Sequence, residues 1–357
     1  MHHALALARR GLGLVAPNPA VGCVIVSGDD RVLGRGWTQK GGRPHAERVA
    51  LDHAGAAARG ATAYVTLEPC AHHGETPPCA EALVAAGVAR VVGAIEDPDP
   101  RVSGKGYERL RSAGVQAHTG LLEREAAEIN EGFLLRIREG RPLVTFKIAQ
   151  SLDRLTATAP GRSKWITGPE ARRFGHLLRA QYDAILVGIE TVIADDPELT
   201  CRIPGLEHAS PMRVVLDTRG RLSSETKIAK TAKNIRTLQF TADPTQASAL
   251  SKFGVETIQA TRDAGGRVDI AAMLTELGRR GVTRLLVEGG ATVQTAFLEA
   301  GLVDRIELFT APLVLGAGGR NSAAAIRTTT LEKALRFRRV GRRALGVDLL
   351  ESFARKA

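Results

Sequence analysis

Long apolar runs are missing from this chain. No stretch of about 18 consecutive apolar residues occurs in its 357 residues, so nothing in it reads as a bilayer-spanning helix. The N-terminus, "MHHALALARRGLGLV", lacks a signal-peptide layout because Arg9 and Arg10 interrupt a short apolar run. A cytoplasmic location is expected. Cysteine is scarce, limited to Cys23, Cys70, Cys79 and Cys201. In a reducing compartment a close pair such as Cys70 and Cys79 reads as metal-binding or catalytic rather than as a disulfide. Cys23, within "VGCVIV", and the isolated Cys201 read as buried packing. A G-x-G-x-x-G fingerprint is absent too, so a dinucleotide would have to bind in some other way. No internal repeat and no long low-complexity segment occurs.

What is abundant is positive charge, a net +11. Its location matters, because a basic surplus invites a nucleic-acid reading. Up to residue 142 there are 17 basic and 16 acidic residues, nearly neutral. The remainder carries 32 against 22, with much of the excess in "RFRRVGRR" at 336–343, which reads as a solvated edge. The first half has no surplus with which to hold a polynucleotide.

The length suggests two domains. Up to about residue 140, helix-like and strand-like segments alternate, which implies a layered α/β sheet. "MHHALALARRG" reads as a helix, "PAVGCVIVSGDDRVLGRGW" as a hairpin, and "HAERVALDHAGAAARG" as a helix closed by Gly60. Strand "ATAYVTLEP", helix "CAEALVAAGVA" and strand "RVVGAIEDP" follow. A fresh β-run begins at Leu143, after Gly140-Arg141-Pro142, and places the boundary there: domains 1–142 and 143–357. Beyond it "AILVGIETVI", "MRVVLD", "IRTLQF" and "RLLVEGG" read as strands. "GPEARRFGHLLRAQ", "DIAAMLTELGRRG" and "ATVQTAFLEAG" read as helices between them.

One constellation carries chemistry. His45, Cys70 and Cys79 are the donors of a zinc site that leaves one coordination position open, the catalytic arrangement. Zinc lowers the pKa of bound water from 15.7 to about 7, so hydroxide is available at neutral pH. In mid-helix Glu47 could not share a face with His45, since two residues turn a helix by about 200°. At a first turn both can converge beyond the helix end, and Pro44 suits that placement. Cys79 follows Pro77-Pro78 and opens the next helix, where a thiolate is favoured by the dipole. H-x-E followed by P-C-x-x-C marks zinc deaminases, with the glutamate as a non-ligand acid/base. This chain has His45-Ala46-Glu47 and Pro69-Cys70, but eight residues before Cys79 rather than two. His72 and His73 in that loop are alternative donors, ranked below Cys79.

In the second half the best phosphate candidate is "RLLVEGGATVQTAFL", a strand, then Glu288-Gly289-Gly290, then a helix start. "LGAGGR" at 315–320 is equally open, and "VIADDPELTCR" is a turn-like acidic segment. Lys147 reads either as a cofactor or ribose contact or as a plain strand charge.

"APNPAVGCVIV", "GRPHAE", "TAYVTLEPCAHHGETPPC" and "GVARVVGAIEDPDP" resemble the deaminase half of the bifunctional riboflavin-biosynthesis deaminase/reductase. "FKIAQSLD", "SKWITGPEARR", "LLRAQYDAILVGIETVIADDPELTCR" and "LLVEGG" resemble its reductase half. The resemblance implies a cytidine-deaminase-like three-layer domain followed by a dihydrofolate-reductase-like domain. It implies zinc-dependent deamination of 2,5-diamino-6-ribosylamino-4(3H)-pyrimidinone 5′-phosphate, with Glu47 delivering protons and Asn18 bonding the ring. NADPH would then reduce the ribosyl group to ribityl. The cofactor would contact Ala149, Trp165, Thr191, Asp195, Thr218 and the run Gly290, Ala291, Thr292, Val293, Gln294, Thr295 and Ala296. The sugar phosphate would contact Ser163, Arg179, Leu199, Arg202 and Glu288, with arginine suited to it by its fork of donors. The partner expected is this small molecule, with no nucleic acid or membrane, in a homo-oligomer. One departure stands out: the family pattern "SLDGR" is here Ser151-Leu152-Asp153-Arg154-Leu155, and an arginine would be strained if that glycine holds φ > 0.

Two other readings compete. A nucleic-acid or nucleoside base deaminase with an accessory domain is opposed by the neutral first half and the eight-residue cysteine spacing. A non-enzymatic zinc-stabilised module would have no need of Glu47 as a proton shuttle.

Overall fold

The alternation of strand and helix resolves into two main sheets, one in each of two units, Met1–Gly140 and Arg141–Ala357. The computed structural model describes residues 1–71, 77–99, 103–158, 165–321 and 330–356.

The first unit holds β1 (Gly22–Val26), β2 (Val32–Trp37), β3 (Thr62–Val65), β4 (Arg90–Gly93) and β5 (Gln116–His118), ordered β2-β1-β3-β4-β5. β1 is antiparallel to both neighbours, while β3, β4 and β5 run parallel. The helices are α1 (His2–Ala8), α2 (Ala46–Ala54), α3 (Cys79–Ala85), α4 (Lys105–Ser112) and α5 (Glu123–Glu139). β1 is buried along nearly its whole length, as expected of a strand covered on both faces. The glycines of "VLGRGW" explain how α2 is held. A Cβ at Gly34 would stand 2.0 Å from the Ala50 carbonyl oxygen, and one at Gly36 2.1 Å from that of Ala46. Only bare backbone lets α2 lie this close to β2, which fixes the height of its N-terminus. The expected helix beginning at His45 ends earlier than Gly60, because Gly55 at φ 54° breaks it and a short 3-10 turn, Gly55–Ala58, follows.

The second unit holds β6 (Leu143–Gln150), β7 (Leu155–Ala157), β8 (Ala184–Gly188), β9 (Met212–Leu216), β10 (Thr237–Thr241) and β11 (Val255–Gln259). It continues with β12 (Arg284–Val287), β13 (Arg305–Thr310), β14 (Arg320–Asn321), β15 (Phe337–Leu345) and β16 (Asp348–Arg355). Nine of these form one sheet, β11-β10-β9-β8-β12-β6-β13-β16-β15, parallel from β11 to β13 and antiparallel at β16 and β15. The helices are α6 (Pro169–Ala180), α7 (Ile189–Asp195), α8 (Lys227–Lys230), α9 (Ala247–Ser251), α10 (Ile270–Arg279) and α11 (Ala291–Glu299). The central β8 is buried throughout, and two apolar clusters form the core, one containing Ile185, Val187 and Phe309, the other Phe146, Phe240 and Phe297. Ligands of open α/β sheets bind beyond the carboxyl ends of parallel strands, here the ends of β6, β8, β9 and β12.

"AILVGIETVI" is not one strand. β8 stops at Gly188, and α7 begins at Ile189, because Ile189 and Val192 recur at helical spacing and are both buried. The charged run at 336–343 lies largely in β15, the outermost strand of the sheet, a strand not expected from its composition. Arg154 does occupy the left-handed region, at φ 62°. Its turn is held by Ser151, whose backbone N–H donates to the Leu155 carbonyl at 3.0 Å. The Asp153 carboxylate accepts from the Leu315 and Gly316 N–H groups at 3.1 and 2.8 Å.

Candidate active sites

His45 caps the N-terminus of α2 in extended conformation, so Pro44 lies one residue outside the helix, and Glu47 occupies the first turn. Cys79 is the first residue of α3, after Pro78. Cys70 lies beyond β3. These elements bring three donors to one point: the candidate ligand atoms of His45, Cys70 and Cys79 all lie within 4.8 Å of one another. His45 Nδ1 is 3.3 Å from Cys79 Sγ and 3.7 Å from Cys70 Sγ. The Cys79 N–H donates to Cys70 Sγ at 3.3 Å. This contact set draws the Cys70 thiol down to about 4, led by its hydrogen bond with Cys79, while the same bond and burial raise Cys79. Hydrogen bonding to Cys70 raises His45.

Glu47 is 3% exposed, and burial pushes its carboxyl up to about 7 against the pull of His45. One imidazole nitrogen and two sulfurs are a zinc donor set, and among the described residues no fourth donor joins the cluster. His72 and His73 lie outside the described residues.

The approach to this centre is tightly held. A Cβ on Gly42 would stand 1.9 Å from Asn18 Nδ2, so the Asn18 side chain lies flat against the turn that leads into Pro44 and His45. Three consecutive N–H groups that follow Asn18 donate to buried side chains from different parts of the unit. Ala20 donates to Asn130 Oδ1 at 2.8 Å, Val21 to Thr38 Oγ1 at 3.0 Å and Gly22 to Thr66 Oγ1 at 3.0 Å. Glu68, two residues before Cys70 and 4% exposed, accepts from the N–H groups of Asp97, Gly104 and Gly106 at 3.2, 2.9 and 2.8 Å. Asn130, Thr38, Thr66 and Glu68 were not singled out by sequence. Their only signal is a polar residue where the helix or strand face calls for an apolar one.

The second unit has its own cleft, of ≈ 1420 Å³. Of the residues expected at a cofactor, it is lined by Ala149, Trp165, Thr191, Asp195, Thr218, Gly290, Ala291, Thr292, Val293, Gln294 and Ala296. Thr295 is not among them; its hydroxyl turns back to donate to the Ala291 carbonyl at 2.8 Å. Gln294 is buried and donates to the Gly289 carbonyl. The two glycines before α11 serve different ends. A Cβ at Gly289 would press on Val293 Cβ at 2.8 Å, whereas one at Gly290 would meet nothing within 4 Å and would fill the space before the helix start. A phosphate group fits such a cradle, reached by backbone N–H groups at the positive end of a helix dipole.

Arg179, Leu199, Arg202 and Glu288 line the same cleft, as does Lys147, while Ser163 lies outside the described residues. Arg179 does not present a free fork. Its Nε and Nη2 donate to the two Glu288 oxygens, each at 2.9 Å, and its Nη1 to the Thr200 carbonyl at 3.0 Å. Burial works against the Glu288 carboxylate, but Arg179 and Lys147 overcome it and hold the group at about 2. Leu199 is buried at φ 57°, so the loop after α7 carries backbone strain at the cleft. The half-exposed Arg202 guanidinium lies 3.4 Å from Glu198, and its backbone N–H donates to His176 Nδ1 at 3.3 Å. Trp165 is 66% exposed, with the Arg172 guanidinium 4.8 Å from its ring.

Two family descriptions match the chain. "Cytidine and deoxycytidylate deaminase zinc-binding region" covers residues 1–95, and "RibD C-terminal domain" covers 142–350. The chain is 41% identical to the riboflavin biosynthesis protein RibD of Escherichia coli, over 98% of this chain and 96% of that one. A solved RibD of Acinetobacter baumannii is 40% identical, with TM-score 0.88 over 99% of this chain and 97% of that one. A diaminohydroxyphosphoribosylaminopyrimidine deaminase/5-amino-6-(5-phosphoribosylamino)uracil reductase from Thermotoga maritima is 33% identical, with TM-score 0.87 over the whole of both chains. Among the described residues, no helix is long and apolar enough to cross a membrane.

Proposed function

Because this chain belongs to the RibD family of bifunctional riboflavin-biosynthesis deaminase/reductases, we propose that its two units perform successive steps on one ribosylaminopyrimidine 5′-phosphate. Residues 1–142 would carry the deamination and residues 143–357 the reduction. The observation that carries this reading is the convergence of His45, Cys70 and Cys79 beside a buried Glu47.

His45 Nδ1 and the sulfurs of Cys70 and Cys79 would hold a zinc ion. When bound, zinc would supply the Lewis acidity that activates water near neutral pH. Glu47, buried in the first turn of α2 beside the three donors, can accept a proton and return one to the departing amino group within a single turnover. Asn18, fixed against Gly42, presents its amide to the pyrimidine ring. The balance is hydrolytic: water enters, a carbonyl replaces the amino group, and ammonia leaves.

In the second unit the space before Gly290 receives a cofactor phosphate, with Ala149, Trp165, Thr191, Asp195 and Thr218 along the remainder of the cleft. The cleft would hold NADPH, whose chemistry when bound is hydride donation. With a hydride to the ribose C1′ and a proton to the ring oxygen that is released, the product would be a ribityl chain. Glu288 stays ionised and is oriented by Arg179, while Arg202 and the Leu199 segment face the sugar phosphate. The molecule acts on a small substrate, not on nucleic acid, and as a homo-oligomer in the cytoplasm.

Incubation of the purified protein with the diaminopyrimidine phosphate tests both halves. Without NADPH the product should be the deaminated compound alone, and with NADPH its ribityl derivative, distinguished by mass. Unchanged substrate in both incubations would overturn the proposal.

A further inference from the structure

One buried polar residue of the first unit lies far from its motifs. Asn130 lies in α5, beyond the 1–95 segment that matches the zinc-binding region, and is 2% exposed. Its amide takes both backbone groups of one residue: Oδ1 accepts from the Ala20 N–H at 2.8 Å, and Nδ2 donates to the Ala20 carbonyl at 3.0 Å. The side chain thus does for Ala20 what a neighbouring strand does for a ladder residue, across 110 positions of sequence. A carboxylate could not, since it has no donor for the carbonyl.

Ala20 lies two residues from Asn18. Of the three N–H groups in succession that are held by buried side chains, that of Ala20 is nearest to Asn18. Ala20 is also the one whose carbonyl is held by the same side chain as its N–H. On its other side Asn18 rests on Gly42, whose missing Cβ leaves it room. The Asn18 amide is therefore set between two anchors, the Gly42 turn and the Asn130 clamp.

We propose that Asn130 is a positioning residue for deamination, acting through Ala20 to fix the Asn18 amide against the pyrimidine ring. This rests on the reading above that Asn18 meets the ring. The catalytic groups His45, Glu47, Cys70 and Cys79 are reached by other elements, so the effect falls on binding the ring and not on holding the metal.

The test compares N130D, N18A and the double variant in the full chain, measuring deaminase kcat and KM, zinc content and NADPH-dependent reduction of the deaminated intermediate. N130D keeps an acceptor for the Ala20 N–H but sets an oxygen against the Ala20 carbonyl. The expected result is a rise in deaminase KM of about tenfold, with kcat little changed. Zinc content and reductase rate should match the unaltered protein, and N18A/N130D should be no worse than N18A. Should N130D not accumulate, N130S, which leaves room for a water at Ala20, carries the same comparison. An unchanged KM, additive effects in the double variant, or a parallel loss of zinc and reductase activity would each overturn the inference. N18A leaving KM unchanged would instead remove the reading of Asn18, and so separates the two failures.

Discussion

Single residues set the chemistry. Glu47→Gln keeps the shape of the side chain but removes its titration, so ammonia release should fall by at least about 100-fold, the usual scale for a lost general acid/base. The reductase rate on the deaminated intermediate should stay intact, as followed by NADPH absorbance. Equal loss of both would argue against separate sites. Arg154 makes a prediction about stability. It holds φ 62° at the position where the family pattern that the sequence resembles has glycine, and left-handed backbone costs a non-glycine residue roughly 1–2 kcal/mol. Arg154→Gly should therefore stabilise the chain by about 1 kcal/mol after the entropy cost of glycine, read from urea denaturation. The His-x-Glu and paired-cysteine pattern was legible in the sequence because each residue lies at a helix start or beside a proline. The strain at Arg154 was legible only as a conditional. Thr38, Thr66, Glu68 and Asn130 were not legible, since each takes its meaning from a backbone group far away in sequence.

At the scale of elements, the Arg179–Glu288 pair ties α6 to the end of β12. Folding lowers the Glu288 pKa from the ordinary 4.5 to about 2, so the unfolded chain binds that proton more tightly. The contribution is complete above the ordinary carboxylate range, fades as pH falls below about 4.5, and is gone below about 2. It amounts to about 3 kcal/mol. Unfolding of the full chain between about pH 5 and pH 3 should be less pH-dependent in Glu288→Gln. The edge strand β15 makes a second prediction. Its exposed Arg338, Arg339, Arg342 and Arg343 lie on the last strand of the sheet, where unpaired backbone would otherwise template another chain. Replacing Arg338 and Arg342 with valine should cause concentration-dependent aggregation, visible by light scattering, with the reductase rate of the remaining monodisperse fraction unchanged. Helices with glycine or proline at their ends were readable in the sequence. β15 was not, because its β-branched content is low and its charges mark an exposed edge rather than a loop. The join of β8 to α7 was misread because apolar Ile189 follows Gly188 directly, so that the first polar residues, Glu190 and Thr191, already lie within the helix.

For the whole molecule, the chain divides into the units Met1–Gly140 and Arg141–Ala357, and the prediction is that the two activities can be lost separately. Cys70→Ser or Cys79→Ser should reduce zinc from about one per chain to near none and abolish deamination, because each removes one of only three protein donors. Reduction of the deaminated intermediate should persist, and the same separation should follow treatment with a strong chelator. Retained deamination in a protein shown by metal analysis to be zinc-free would contradict the assignment of His45, Cys70 and Cys79. The two-domain organisation was legible from the restart of β pattern at Leu143. The cleft of the second unit was legible only through the family resemblance, since its walls come from strands, helices and loops scattered from Lys147 to Asn321 with no compact fingerprint.

Carrying both units on one polypeptide also fixes their proportion. A cell cannot raise the output of one station by making more of it, since every ribosome that completes the first also makes the second. Any imbalance in throughput must be corrected by substitutions that alter turnover.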